Sequence, residues 1–191
     1  MSHAQEPGAL VSLIDRKQAP LLVRRFYGEG AASPITASLA QVPELLEVAL
    51  PFVGAALGPA SLDERTKEIA ILRTSALLEC RYCVQTHTAV ALDVGLSTGE
   101  VRALRGEGDL DKAFTDARER VMIAWIDAVA LGRGPVAPGL QARASQALEE
   151  HQLVELTLAV SATLMLNRYC TALDLPTGAD TLARLAAGGF A

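Results

Sequence analysis

Three side chains able to do concerted chemistry stand close together in the sequence: Cys80, Cys83 and His87. The thiolate, not the thiol, is the nucleophile and the metal ligand, so the question is what ionises one of the cysteines. A helix that begins at the second cysteine supplies an answer, because its first-turn N–H groups and the positive end of its macrodipole favour negative charge. Cys83 and His87 then occupy positions i and i+4 on one helix face, where an imidazole meets the sulfur. A two-residue spacer across a helix start also brings two Cα atoms within the roughly 4.4–6.8 Å that a disulfide accepts. A reversible Cys80–Cys83 disulfide is therefore expected. Two other readings stay open: a zinc site, which needs a fourth ligand although His3 and His151 are isolated, and an unreactive pair. Cys170 lies in an apolar stretch and reads as a small core residue.

The surrounding stretches must place this group. Upstream, SLDERTKEIAILRTSALLE reads as a helix with a Ser61/Glu64 capping box and an apolar stripe of Ile69, Leu72, Ala76 and Leu77. Downstream, a helix ends at Gly95, so the cysteines fall at the joint between the two. PELLEVALPFVGAAL, from Pro43, reads as an earlier helix with an interior Pro51, ended by Gly58 and Pro59. Ser97 and Glu100 cap a short helix over TGEVRAL, and Gly106 and Gly108 break the chain. VMIAWIDAVAL, within 117–131, is apolar on nearly all sides and predicts a helix buried all round, with Trp125 as core; Arg73 either pairs with an acid or faces solvent. The last long helix spans about 149–173, and Glu155, Asn167 and its Ser and Thr residues favour a core or subunit-contact role over a membrane span. Residues 1–35 predict one or two short helices lying on the main body, and the tail from Pro176 is expected to be loosely held. With no convincing strand, the fold class is all-α, one domain over 1–191 with its motif region at 43–105.

Composition narrows the functions. Of the 191 residues, 50% are hydrophobic and only 4% aromatic, the apolar content being mostly Ala, Leu and Val, which suits close-packed helices. A net charge of −5 without a block of like charges argues against nucleic acid or an anionic membrane as partner. Three cysteines are too few for a disulfide-built secreted scaffold, and the start of the chain lacks the basic and apolar regions of a signal peptide. A cytoplasmic protein is expected, in which a CxxC is catalytic or metal-binding more often than structural.

ERTKEIAILRTSALLECRYCVQTHTAVALDVGLSTGEVRAL resembles the signature of the carboxymuconolactone decarboxylase superfamily in its AhpD-like alkylhydroperoxidase branch, most strongly over 61–105. The resemblance implies Cys83 as peroxidatic cysteine, Cys80 as resolving cysteine, His87 as relay histidine and Glu68 as its carboxylate, with no cofactor and no metal. It implies a thiol-dependent peroxidase or disulfide oxidoreductase of oxidative defence, acting on a small hydroperoxide. A dithiol or thioredoxin-like reductant and a homo-oligomer, trimer or hexamer, are implied with it. One position departs: the branch carries a second histidine just before the peroxidatic cysteine, where this chain has Tyr82. A lactone-decarboxylase-like enzyme would use the same fold without the cysteines, and a zinc-binding or redox-responsive non-catalytic module would use them without turnover. Physically, twelve residues of helix set Glu68 ~18 Å from Cys80 along the axis. Glu68 must therefore reach His87 across an antiparallel pair, with Glu79 as the rival carboxylate.

Overall fold

The computed structural model describes residues 8–28 and 32–190; His3 lies outside them. Among the described residues there are ten α-helices, one 3-10 segment at Leu21–Phe26, and no strand. The helices are α1 (Pro34–Leu39), α2 (Pro43–Leu57), α3 (Glu64–Leu77), α4 (Arg81–Asp93), α5 (Thr98–Leu104), α6 (Leu110–Ala113), α7 (Ala117–Leu131), α8 (Pro138–Ala147), α9 (Glu150–Ala172) and α10 (Ala179–Ala187).

Helix α3 is the axis of the fold, packed against α4, α7 and α9. Its start differs from the expectation: Asp63 is the N-cap, its carboxylate accepting from Thr66 N at 2.8 Å, and there is no Ser61/Glu64 capping box. Ser61 instead donates its backbone N–H (2.9 Å) and its hydroxyl to the Glu155 carboxylate, anchoring the loop before α3 to α9. Burial also departs from a single apolar stripe. Thr66, Lys67, Glu68, Thr74 and Ser75 are buried together with Ile69, Ala70, Ile71 and Leu72, while Ala76 and Leu77 are only half-buried. The charged side chains are tolerated there because they are paired, and the Ser75 hydroxyl accepts from the Asn167 amide at 3.3 Å, whereas the Thr74 hydroxyl has no hydrogen-bond partner among the described residues. Lys67 Nζ lies 2.7 Å from Glu155 and donates to the Ala56 carbonyl at 2.8 Å, and Arg73 makes a two-pronged bond to Asp127 at 2.7 and 2.8 Å.

Helix α7 is the converse case. Met122, Ile123, Trp125 and Ile126 are buried, but Leu131 is exposed and the rest of its surface is half-open, so it is not buried all round within one chain. The tail also differs from the expectation. α10 packs on α4, Leu185 and Phe190 enter the main core, Arg184 pairs with Asp93, and Arg102 donates to the Gly189 carbonyl at 2.8 Å. The Ser97/Glu100 capping box is present in both directions, and Gly95, at φ 92°, ends α4 where the sequence places it.

Candidate active site

The site is made by two helix ends that face each other. α3 closes with Glu79 in the left-handed region at φ 54° and the Cys80 N–H donating to the Ser75 carbonyl at 3.1 Å, a Schellman-type turn built without glycine. That turn reverses the chain into α4, making Cys80 its N-cap and putting Cys83 in its first turn. Opposite, α9 ends the same way, with Asp174 at φ 47° and Leu175 N–H donating to the Cys170 carbonyl at 3.0 Å. An Arg81–Asp174 ion pair of 2.8 Å ties the turns together. Between them Cys80, Cys83 and Cys170 are buried in one cluster with Tyr82 and Leu175. The Cys80 and Cys83 sulfurs are 3.0 Å apart, within reach of a hydrogen bond and, after loss of two electrons, of a disulfide.

The antiparallel return of α4 along α3 also settles how Glu68 meets His87. Nδ1 of His87 lies 2.9 Å from Oε2 of Glu68, with no bridging atom needed, whereas Glu79 is exposed and lines the outer pocket. Against an ionised carboxylate Nδ1 is the donor, which leaves Nε2 as the ring nitrogen outside the pair. The His87 side chain retains 24% of its exposure, enough to exchange protons with solvent.

The three thiols cannot all ionise together, since like charges in contact oppose one another. Interactions with Cys170 and with Cys83 hold the Cys80 thiol well below the usual range, whereas Cys83 is pushed up by Cys170, by Cys80 and by burial. Cys170 is pushed up to about 12, first by its interaction with Cys80. The helix-start argument thus applies to Cys80, the N-cap, rather than to Cys83. Burial and the neighbouring thiols raise Tyr82 to about 12, leaving its phenol protonated.

A pocket of about 240 Å³ opens onto this cluster, lined by Cys80, Tyr82, Cys170, Thr171, Asp174 and neighbouring residues. Cys83 is not among them; it stands one helical turn before His87 on α4. The N-terminal segment, silent in the sequence, supplies the remaining wall: Ala9, Leu13 and Ile35 pack on the thiol cluster, and Leu10 N–H donates to the Leu173 carbonyl at 2.9 Å. Sequence reasoning also left Cys170 as ordinary core. The one signal for it is that Arg-Tyr-Cys occurs twice, at 81–83 and at 168–170. Among the described residues no three His, Cys, Asp or Glu side chains are arranged to hold a metal ion.

Residues 43–128 match the carboxymuconolactone decarboxylase family. Over that stretch the chain is similar to the family, and the match covers 86 of its 191 residues. Its fold is shared with an AhpD-core, uncharacterized peroxidase-related protein from Ralstonia eutropha JMP134 (TM-score 0.81, 15% identity, 92% of this chain and 95% of that one). A second peroxidase-related protein, from Silicibacter sp. TM1040, gives a TM-score of 0.80 at 16% identity over 95% and 97% of the two chains. The debrominase Bmp8 shares the fold as well, with a TM-score of 0.70 at 20% identity over 93% and 96%. At these identities the likeness is one of fold. No curated protein matches the sequence. The family match covers α2 through most of α7, and so includes all four AhpD-type positions, Glu68, Cys80, Cys83 and His87, but not Cys170.

Proposed function

We propose that the protein is a thiol-dependent peroxidase and disulfide oxidoreductase in which Cys83 attacks, Cys80 resolves, and the His87–Glu68 dyad moves the proton. The observation that carries this reading is the dyad, bonded at 2.9 Å and set one helical turn beyond Cys83, next to a second sulfur 3.0 Å away. Cys83 rests as a thiol, held so by burial and by its neighbours. Nε2 of His87 takes its proton, Glu68 stabilises the imidazolium, and the sulfur attacks the nearer peroxide oxygen; the O–O bond breaks and the imidazolium protonates the departing alkoxide. Cys83 is then a sulfenic acid. The Cys80 thiolate attacks its sulfur, water leaves with one further proton, and the disulfide forms before deeper oxidation. An external dithiol enters through the pocket at Cys80 and regenerates both thiols.

The oligomer belongs to the same proposal. Val154, Leu158, Ser161 and Met165 follow one another at helical spacing along the outer face of α9, with Val154 68% exposed. Leu45, Val48 and Phe52 form a similar exposed stripe on the adjoining α2. An apolar band of this kind marks an interaction surface, and a homo-oligomer, trimer or hexamer, would cover it. Sedimentation at low micromolar concentration tests this, and a clean monomer refutes it.

Anaerobic single turnover with an organic hydroperoxide is the central test. One equivalent is consumed per chain and a Cys80–Cys83 disulfide appears; Cys83→Ser abolishes the burst and Cys80→Ser keeps it. Retention of the burst in Cys83→Ser with loss in Cys80→Ser reverses the order of attack. A Cys80→Ser/Cys83→Ser variant with an intact activity of another kind replaces the proposal with cofactor-free, decarboxylase-like chemistry.

A further inference from the structure

The peroxidase reading uses two of the three buried thiols. Cys170 comes from α9, near the far end of the chain, yet it is buried in the same cluster as Cys80 and Cys83. It also lines the pocket that opens on Cys80. A lone buried cysteine is ordinarily a small apolar filler. Here the neighbours are two reactive sulfurs, and a third sulfur in the same cluster as a sulfenic acid is placed to condense with it.

We propose that Cys170 is a third redox-active thiol, able to close a disulfide with either member of the CxxC pair and so to resolve the site when the usual partner is missing or already consumed. The inference rests on the redox reading of Cys80 and Cys83. With Cys83 as sulfenic acid, the Cys170 sulfur attacks it, the S–O bond breaks, and hydroxide leaves with the Cys170 proton as water; the product is a Cys83–Cys170 disulfide. The corresponding step at Cys80 gives Cys80–Cys170. In either case α4 becomes covalently joined to α9. The buried, clustered thiols also resist over-oxidation, because each sulfenic acid has two candidate partners within the cluster.

The test separates this from peroxide chemistry by using diamide, whose N=N bond accepts two electrons and two protons from a pair of thiols. The full-length Cys80→Ser and Cys83→Ser variants are oxidised in native buffer, alkylated and mapped by mass spectrometry. Cys83–Cys170 is expected in the first and Cys80–Cys170 in the second, with both linkages abolished by adding Cys170→Ala. Their formation should slow sharply in urea, which shows that the packed cluster rather than chain encounter brings the sulfurs together. Wild-type protein, in which nothing can have misfolded through substitution, is oxidised briefly in parallel, and a share of Cys170-containing disulfide there supports the inference equally. Two free thiols in both variants with only Cys80–Cys83 in the wild type overturns it, as does a linkage that forms as fast in urea. Loss of peroxide turnover with these linkages intact refutes the peroxidase reading alone.

With hydroperoxide in place of diamide, Cys80→Ser should consume one equivalent without accumulating a dimedone-reactive sulfenic acid, and Cys80→Ser/Cys170→Ala should accumulate it.

Discussion

Lys67 and Glu68 are neighbours on α3, both buried and both engaged by a residue of opposite or titratable charge, yet the two contacts differ in kind. Lys67 is 1% exposed and meets Glu155 at 2.7 Å; the Ala56 carbonyl accepts from its ammonium, and Ser61 and Leu62 N–H groups donate to the carboxylate. Such a charge is enclosed and paired, with further hydrogen bonds to the ammonium and to the other carboxylate oxygen, which is the condition under which a buried ion pair is tolerated. Among the described residues Glu68 pairs with His87, whose ring has a second nitrogen outside the pair, partial exposure and a cysteine one turn away. The first contact holds α2, α3 and α9 together; the second leaves a proton with somewhere to go. Burial of a charge does not by itself mark a candidate catalytic group; a further donor or acceptor beside a thiol is what sets the second contact apart.

The contrast is most severely tested by removing one partner from each. Lys67→Ala should destabilise the fold by about 3–5 kcal/mol, since it strands a buried carboxylate, while Lys67→Met with Glu155→Leu should recover most of that loss. Urea unfolding of the three proteins measures both, and a Lys67→Ala variant as stable as the wild type would place the pair outside the structural role.

His87→Ala leaves the buried Glu68 carboxyl without this partner and should cost about 1–3 kcal/mol in unfolding, less than Lys67→Ala because the imidazole side of the pair is partly open to water. It should also slow Cys83 oxidation by on the order of 10²–10⁴, the usual contribution of a positioned proton carrier. Stopped-flow peroxide consumption reads the rate, and no partner substitution should rescue it.

A smaller effect is expected from pH. Burial pushes the Glu155 carboxyl up, but hydrogen bonds from Lys67 and Ser61 more than reverse this and hold it below its ordinary 4.5. A group depressed in the folded state stabilises fully above its unfolded pKa and loses that contribution as pH falls through the folded one. The stability gap between wild type and Glu155→Gln should therefore be constant at neutral pH and narrow below about 4.5. A gap that persists at the lowest pH at which both proteins fold would assign the effect to packing.

Least should follow from Arg184→Ala, which removes the solvent-exposed pair with Asp93 at the α4–α10 contact. Exposed pairs are screened and contribute little, so neither unfolding nor peroxide consumption should change detectably.

Much of the fold was legible because local chemistry specified it. Pro43, Gly58, Gly95 and the Ser97/Glu100 box bound their helices as the pattern predicts, and the CxxC falls at the α3–α4 joint with His87 on the face of Cys83. Misreadings came where polarity was taken for exposure. α3 looked amphipathic and is buried on most sides, because Lys67, Glu68 and Arg73 find partners on other helices; α7 looked wholly buried and is half-open, because an apolar face does not reveal what covers it. The tail from Pro176 is held by Leu185, Phe190 and Arg184, contacts that only a folded α4 and α5 provide.

By itself, then, the sequence determined which candidate side chains stand together and how far apart they lie along one helix, since i, i+4 spacing and an N-terminal cap are properties of a few consecutive residues. Tertiary structure decided which carboxylate His87 uses, which thiol the surroundings ionise, and that Cys170 joins them. Each of those depends on α3, α4 and α9 meeting at one place, and pairings between residues 19 to 90 positions apart are fixed by packing of whole helices rather than by any local preference.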